Sequence, residues 1–139
     1  MAWRTFEHTA DVGIEVESGD LPGLFVEAGA AFRELVIASS ELEPTGEWSE
    51  LEVRAGDLPA LLLSFLEELL YRWDAHGVML LDLAVEVEGE GEYRIRARGR
   101  CATARPGAEV ETDIKAVTWH GLCVDPTAGG WRARVVLDV

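Results

Sequence analysis

Residues 57–77 read DLPALLLSFLEELLYRWDAHG, the most strongly patterned segment of the chain. Asp57 can cap a helix N-terminus, a proline is tolerated in the first turn, and Gly77 suits the left-handed position that often ends a helix. At about 100° per residue, the large apolar side chains share one broad face, with Glu67 opposite it and Glu68 at its boundary. The segment therefore predicts an amphipathic helix that packs on a sheet.

The segments around this helix predict a further helix and a set of strands. Residues 21–39 carry an apolar stripe behind Asp20, which we expect to cap the helix. Alternating or β-rich runs predict strands at residues 4–8, 12–17, 47–54, 78–88, 93–103, 112–124 and 131–139. The fold class is therefore α+β, a two-layer sandwich of about seven mainly antiparallel strands with two helices packed on one sheet. We expect residues 1–139 to form a single domain.

The composition is that of a folded and strongly acidic protein. Twelve basic residues against 26 acidic residues give a formal net charge of −14, and 48% of the residues are apolar. A field of this sign repels a phosphate backbone, so we expect no strong direct binding to nucleic acid. The N-terminus lacks the pattern of a secretory signal, and polar residues interrupt the longest apolar stretch. We therefore expect a cytoplasmic protein with no membrane partner.

Four arginines alternate along one predicted strand and could form a nucleic-acid-binding stripe, at positions 94, 96, 98 and 100. If the preceding turn centres on Glu90, cross-strand pairing places Glu86 opposite Arg94 and Asp82 opposite Arg98. Acids in these positions would neutralise two of the four guanidinium groups. The strand is therefore interpreted as the solvated face of a sheet.

Acidic side chains near both chain ends could converge. Asp11 is predicted to lie in a turn between the first two strands, and Asp138 is the penultimate residue. If the first and last strands are neighbours, these carboxylates and the oxygens of Val139 would meet, and such hard ligands suit Ca²⁺, Mg²⁺ or Mn²⁺ rather than zinc. The alternative is that Asp11 bonds its own backbone in a turn and that Asp138 is a solvated strand end.

Lys115 is the single lysine among twelve basic residues. This bias raises the hypothesis that the position requires a compact ammonium rather than a planar guanidinium, with chance as the competing explanation. His8 lies beside Asp11 and could orient a ligand, whereas His120 has the opposite strand parity to Lys115. The side chains of Lys115 and His120 would then face opposite ways unless a bulge intervenes. Either histidine could instead be an ordinary half-buried polar residue.

Four separated blocks of this sequence, in the same order, resemble the archease family: FEHTADVGI at 6–14, FLEELLY at 65–71, IKAVTWH at 114–120, and the terminal run 131–139. One departure is Trp119, where the family usually has tyrosine. The resemblance implies an accessory factor of the tRNA-splicing RNA ligase, an enzyme that works through a guanylylated histidine with GTP and manganese. The ligase would be the protein partner, and the chain would have no catalytic residue of its own.

The resemblance also implies roles for individual residues. The divalent cation, calcium in the family and with Mn²⁺ or Mg²⁺ as alternatives, would be held by Asp11, Asp138 and Val139. Lys115 matches the family's functional lysine, Glu68 matches the acidic position of the second-helix motif, and His8 is a further functional candidate.

Two classes of function are compatible with these residues. A non-enzymatic activator would promote guanylylation of the ligase and its repeated turnover, by stabilising a transition state or an active conformer. A free-standing metal-dependent hydrolase would use Asp11 and Asp138, with Lys115 as an electrophilic stabiliser. Against a hydrolase, the sequence has no nucleophile arrangement and no phosphate-binding loop motif. A metal-binding chaperone of other clients is a third candidate.

Overall fold

A computed structural model of the protein describes residues 2–8 and 11–139, and for residues 6–8 it describes the backbone only. The described residues form two α-helices, α1 (Leu21–Val36) and α2 (Leu58–His76), and a short 3₁₀ helix at Ser39–Glu41. They also form seven strands: β1 (Ala2–His8), β2 (Asp11–Ser18), β3 (Leu42–Ala55), β4 (Val78–Glu90), β5 (Glu92–Ala104), β6 (Ala116–Thr127) and β7 (Gly130–Asp138). The predicted α+β class with seven strands and two helices is confirmed.

Both helices begin at the predicted capping residues. Asp57 Oδ1 accepts a 2.8 Å hydrogen bond from the Ala60 amide, and Asp20 Oδ1 accepts one of 2.7 Å from the Gly23 amide. A cap of this kind contributes about 1 kcal/mol to stability. α2 ends at Gly77, whose φ of 65° is left-handed as predicted, whereas α1 is shorter than the predicted 21–39.

The strands form two antiparallel sheets. One has four strands in the order β1-β2-β7-β6, and the other has three in the order β3-β5-β4. The last strand, β7, therefore lies between β2 and β6. This arrangement brings the N-terminal hairpin and the C-terminus of the chain to neighbouring positions in one sheet.

The two helices contact both sheets, which corrects the prediction that they pack on one sheet. α1 contacts β2 and β7 of the four-stranded sheet and β4 of the other, and α2 contacts β6 as well as β3, β4 and β5. The reason is the width of the apolar surface. The buried residues of α2 are Leu61, Leu62, Leu63, Phe65, Leu66, Leu69 and Leu70. At 100° per residue they cover about 200° of the helix circumference, twice the stripe that one sheet needs.

Interlocking aromatic rings join the helices within this core. Phe25 of α1 meets Phe65 of α2 edge to face, with ring centroids 5.8 Å apart, and both side chains are fully buried. Such pairs add about 1 kcal/mol beyond the area that they bury. Among the described residues, no helix is long and apolar enough to cross a membrane.

The β4–β5 hairpin forms as predicted, but its register differs. The turn centres on Gly91, whose φ is 76°, so Arg94 lies opposite Glu88 and Arg96 opposite Glu86. The prediction that Glu90 is the centre was wrong because a left-handed turn position favours glycine.

The arginines of β5 nevertheless belong to a charge-paired sheet face. Arg96 Nε lies 3.2 Å from Glu52, Arg94 pairs with Glu52 and Glu88, and Arg100 Nε lies 2.6 Å from Asp82. These pairs support the interpretation of a solvated face.

The predicted pairing of Asp82 with Arg98 was wrong. A bulge between Leu81 and Ala84 puts Ala84 opposite Arg98, and the Arg98 guanidinium instead stacks 4.5 Å from the centroid of the Trp48 ring.

Candidate functional site

Three of the candidate residues meet at one end of the four-stranded sheet. Asp138 on β7 lies directly opposite Asp11 on β2 and, on its other side, opposite Ala116 on β6. The backbone amide of Lys115 donates a 2.8 Å hydrogen bond to the carbonyl oxygen of Asp138. Strand pairing therefore joins parts of the chain that are far apart in sequence.

We call Asp11 and Asp138 the acidic pair. The sequence predicted that Asp11 lies in a turn, but it is the first residue of β2. The pairing with Asp138 extends the strand to this position. Residues 9 and 10 lie outside the described part of the chain. The sequence predicted that Asp11 and Asp138 converge if the first and last strands are neighbours. The two residues do lie opposite each other, but through the second strand, because β2 lies between β1 and β7.

The acidic pair lies on the outer face of the sheet. Successive side chains of a strand point to opposite faces, and the residues that alternate with the pair, including Ile14 of β2 and Leu137 of β7, are fully buried in the core. Directly opposed residues on one face have Cβ atoms about 5 Å apart. Two carboxylates at this separation repel each other unless a cation or a proton neutralises them.

A comparison with the next acid on the same face of β2 shows what the acidic pair lacks. Glu15 is paired on both sides, with Arg4 Nε at 2.7 Å and an Arg134 nitrogen at 3.5 Å. Within the described part of the chain, neither Asp11 nor Asp138 forms an ion pair with a basic side chain. The half-buried acidic pair is therefore a local concentration of negative charge.

The chemistry of this donor set fits a hard divalent cation, but the set is incomplete. The pair supplies two carboxylates, and Val139 follows Asp138 directly. Among the described residues, 2–8 and 11–139, no group of three His, Cys, Asp or Glu residues could hold a metal ion. Because Ca²⁺ takes six to eight oxygen ligands, water or a second molecule would have to supply the rest.

Lys115 lies at the same end of the sheet as the acidic pair and carries a flexible cationic side chain. Its side chain is exposed, and no carboxylate of the described residues lies within ion-pairing distance of it. The hydrogen bond from its backbone amide fixes the start of the side chain at the sheet end. Lys115 is therefore fixed at this end of the sheet by its backbone, and its exposed ammonium can reach a group outside this protein.

His8 cannot be assigned a role from side-chain geometry. Its backbone lies opposite Asp11 in the β1–β2 pairing, but its side chain is outside the described part of the chain. The expectation that it orients a ligand stays a prediction.

Glu68 takes part in a contact between α2 and β3. Arg72 Nε lies 3.3 Å from Glu68 Oε1, and the same guanidinium donates to Ser49 Oγ at 2.6 Å and to the backbone oxygen of Glu50 at 3.0 Å. Among the described residues, the ion-pair partner of Glu68 is Arg72. The geometry indicates a structural use, and a functional role for Glu68 stays a prediction.

A wide bulge in β6 is the main feature of this end that the sequence analysis left open. Thr118 lies opposite Val136, and the next paired residue, Cys123, lies opposite Arg134. Residues 119–122, which we call the β6 bulge, therefore lie against one residue of β7. The strand-parity argument about Lys115 and His120 does not apply across such a bulge. The glycine at position 121 within a strand pattern was the sequence signal.

The β6 bulge presents Trp119 to solvent. The Trp119 side chain is 63% exposed, the highest value among the exposed large hydrophobic residues of the described chain. His120 is also exposed. Trp119, four residues after Lys115, therefore adds exposed apolar surface to an otherwise charged end of the sheet.

Solved structures share this fold. The solution structure of Methanobacterium thermoautotrophicum protein 1598 superposes with a TM-score of 0.85 at 27% identity, covering 99% of this chain and 98% of that one. The crystal structure of an archease from Thermotoga maritima, described as a possible chaperone, has a TM-score of 0.63 at 20% identity and covers 98% of this chain and 96% of that one.

Sequence comparisons agree over the full length. The archease proteins of Methanopyrus kandleri and Archaeoglobus fulgidus are 34% and 35% identical to this chain, and each alignment covers 100% of both proteins. The model of the Archease protein family (MTH1598/TM1083) matches residues 3–139. The chain therefore belongs to the archease family.

Proposed function

We propose that this protein is a non-enzymatic, metal-binding activator of the tRNA-splicing RNA ligase. It would promote guanylylation of the ligase's active-site histidine and so allow repeated turnover in tRNA splicing and RNA repair. The observation that carries the proposal is the meeting of Asp11, Asp138 and Lys115 at one end of the four-stranded sheet. Membership of the archease family supports it.

The acidic pair and Val139 would hold one divalent cation, Ca²⁺ in the first instance and Mn²⁺ or Mg²⁺ as alternatives. Two opposed carboxylates without a basic partner among the described residues favour a cation, because it would relieve their repulsion. When bound, a divalent ion would supply positive charge for phosphoryl oxygens. The incomplete donor set suits an activator, since its open coordination positions could accept ligands from the partner.

Lys115 would contribute a compact donor to the same end. An ammonium on a four-carbon stem can approach a phosphate or carboxylate as a point charge, whereas a guanidinium presents a wider planar fork. The exposed Lys115 side chain has this freedom.

The overall charge supports a protein partner rather than direct RNA binding. A formal charge of −14 disfavours approach to a phosphate backbone and favours approach to the basic surface of a protein that itself binds RNA. The activator would reach the nucleotide site by docking on the ligase.

A guanylylation assay tests the proposal. Purified ligase is incubated with labelled GTP and Mn²⁺, with and without this protein, and the covalent ligase–GMP adduct is followed over time. We expect faster adduct formation with this protein and no nucleotide hydrolysis by this protein alone. An unchanged rate would refute the activator, and hydrolysis without ligase would favour the metal-dependent hydrolase. Protection of unrelated proteins from aggregation, without any effect on the ligase, would favour a chaperone.

A further inference from the structure

The β6 bulge exposes an aromatic side chain that the fold does not need for packing. Two other exposed aromatic residues have partners: Trp48 stacks on Arg98, and Tyr71 meets His76 with ring centroids 5.7 Å apart. For Trp119, 63% exposed, the described residues supply no ring or cation partner. Exposing an indole in this way leaves apolar area in water, at a cost of roughly 25 cal/mol per Å².

The backbone of the bulge is held in place by specific hydrogen bonds. The Thr118 hydroxyl donates to the Val136 carbonyl at 2.9 Å and accepts from the His120 amide at 3.3 Å. Gly121, with a φ of 63°, then turns the chain back into the strand, in a conformation that suits glycine. Trp119 is therefore presented from an ordered segment, which lowers the entropy that a partner must remove on binding.

The position of the bulge relates it to the proposed site. β6 is an edge strand of the four-stranded sheet, and it begins at Ala116, which pairs with Asp138. Trp119 lies three residues further along the same strand, so the acidic pair, Lys115 and the indole are at one end of the molecule. A surface with an aromatic residue beside charged groups is typical of a protein–protein contact, in which tryptophan is enriched among the residues that contribute most.

We propose that Trp119 is a docking anchor, which inserts into an apolar pocket of the ligase while the acidic pair at the same end of the sheet faces a basic rim. This inference rests on the proposed function and assigns its docking surface. Complementary charge supports a protein occupant with a basic surface, because the chain carries a net charge of −14. The same charge disfavours stacking of Trp119 on an RNA base.

A structural role alone would predict a different result. A bulge on an edge strand also hinders pairing with the edge of another sheet. That role depends on the backbone of the bulge and is preserved when the indole is removed. Truncation of Trp119 therefore separates docking from edge protection.

The test measures the affinity of full-length variants for the ligase by calorimetry and, in parallel, the concentration of each variant that gives half-maximal guanylylation. Trp119→Ala is expected to weaken binding by roughly 30-fold or more, the loss that defines an interface hot spot. Its maximal stimulation at saturation is expected to match that of the wild type. Trp119→Tyr, which keeps an amphipathic ring, should stay within about threefold of the wild type.

Trp48→Ala is the matched control, because it removes an exposed tryptophan from the three-stranded sheet. Its affinity should not change. Unfolding temperatures of all variants exclude misfolding as the cause of a loss.

The alternatives give distinct outcomes. If Trp119→Ala binds the ligase as tightly as the wild type does, the anchor is overturned. A change in oligomeric state on this mutation would also overturn it, because the indole would then belong to a contact between copies of this protein. A gel shift with tRNA that depends on Trp119 would also overturn it, in favour of base stacking. If Asp11→Asn stimulates fully while Trp119→Ala still weakens binding, the metal site of the proposed function fails and the anchor stands. If the wild type neither binds nor stimulates the ligase, both fail.

Discussion

At the scale of single residues, the acidic pair differs from Glu15, the next acid on the same face of β2, because it has no basic partner among the described residues. Glu15 lies between Arg4 and Arg134, whereas Asp11 faces Asp138. Opposed like charges destabilise a sheet, so a bound cation would stabilise the folded state as well as serve function.

Neutralising either member of the pair should therefore weaken cation binding. Asp11→Asn and Asp138→Asn keep the shape of the side chain but remove a charge and a strong ligand, and we expect at least a tenfold loss of Ca²⁺ affinity. Calorimetric titration with Ca²⁺ and Mn²⁺ measures it. Asp74→Asn, at an exposed position in α2, is the control for net charge. Undiminished affinity in both site variants would contradict the assignment.

Lys115 should not tolerate the conservative exchange to arginine. Lys115→Arg keeps the charge, and the exchange should not disturb the fold because the side chain is exposed. The wider guanidinium, however, cannot replace a compact donor. We expect unchanged unfolding and a loss of most of the stimulation of guanylylation. Arg132→Lys, an exchange at an exposed position of β7, should leave stimulation intact. Full activity of Lys115→Arg would return the single lysine to coincidence.

At the scale of elements, the hairpin β6–β7 carries Asp138 and the β6 bulge, and its turn is packed against the chain at the end of β2. A Cβ atom on Gly130 would lie 2.1 Å from the Ser18 carbonyl oxygen, at a φ of 158°, whereas a Cβ on Gly129 would meet no atom within 4 Å. The two neighbouring glycines therefore have different constraints.

Gly130→Ala should destabilise the protein by roughly 2–3 kcal/mol, because backbone atoms must move to admit the methyl group. Gly129→Ala is the matched control and should change stability by less than about 0.5 kcal/mol. Denaturant unfolding of both variants measures the difference. Equal stabilities would mean that the contact with Ser18 does not constrain this turn.

The local signals of the sequence predicted the elements well, and the contacts between elements less well. Asp20, Asp57 and Gly77 mark helix ends because capping depends on residues within one turn. The turn centre was predicted one residue too early, at Glu90 and not at Gly91. Acidic residues flank both positions, so the alternation of apolar and polar residues does not distinguish the two possible centres. The bulge after Thr118 depends on a hydrogen bond to Val136 in another strand, so the sequence gives only the weak signal of a glycine.

The same distinction applies to the candidate site. The meeting of Asp11 with Asp138 could be stated only as a condition, because strand order is a property of the whole sheet. The leucines around α2 indicated extensive burial, but periodicity does not say that two sheets cover the helix.

At the scale of the whole molecule, the formal charge of −14 sets how the protein meets other molecules. The arginines of β5 do not counter this field as a separate basic surface, because Arg94, Arg96 and Arg100 pair with acids. The exterior is therefore acidic over long range, with a basic side chain at the site itself in Lys115.

Association with the ligase should depend on salt, and binding to tRNA should be undetectable. Electrostatic attraction accelerates encounter at low ionic strength and is screened over about 10 Å at 0.1 M salt. We expect the association rate constant to fall several-fold between low and moderate salt, measured by stopped flow. A gel shift with tRNA tests the second half. A salt-independent association rate would mean that the acidic charge serves solubility alone. Tight tRNA binding would mean that the arginines of β5 form a nucleic-acid-binding stripe and not only a solvated face.

The proposed activation is tested most directly by the rate of ligase–GMP formation at equal, saturating concentrations of the wild type, Asp138→Asn and Asp74→Asn, with GTP and Mn²⁺ present. We expect the wild type and Asp74→Asn to accelerate adduct formation equally and Asp138→Asn to lose most of the acceleration, because it lacks one carboxylate of the acidic pair. Equal acceleration by all three proteins would refute a role for the acidic pair, since activation would then not depend on the end of the sheet where Asp11, Lys115 and Asp138 meet.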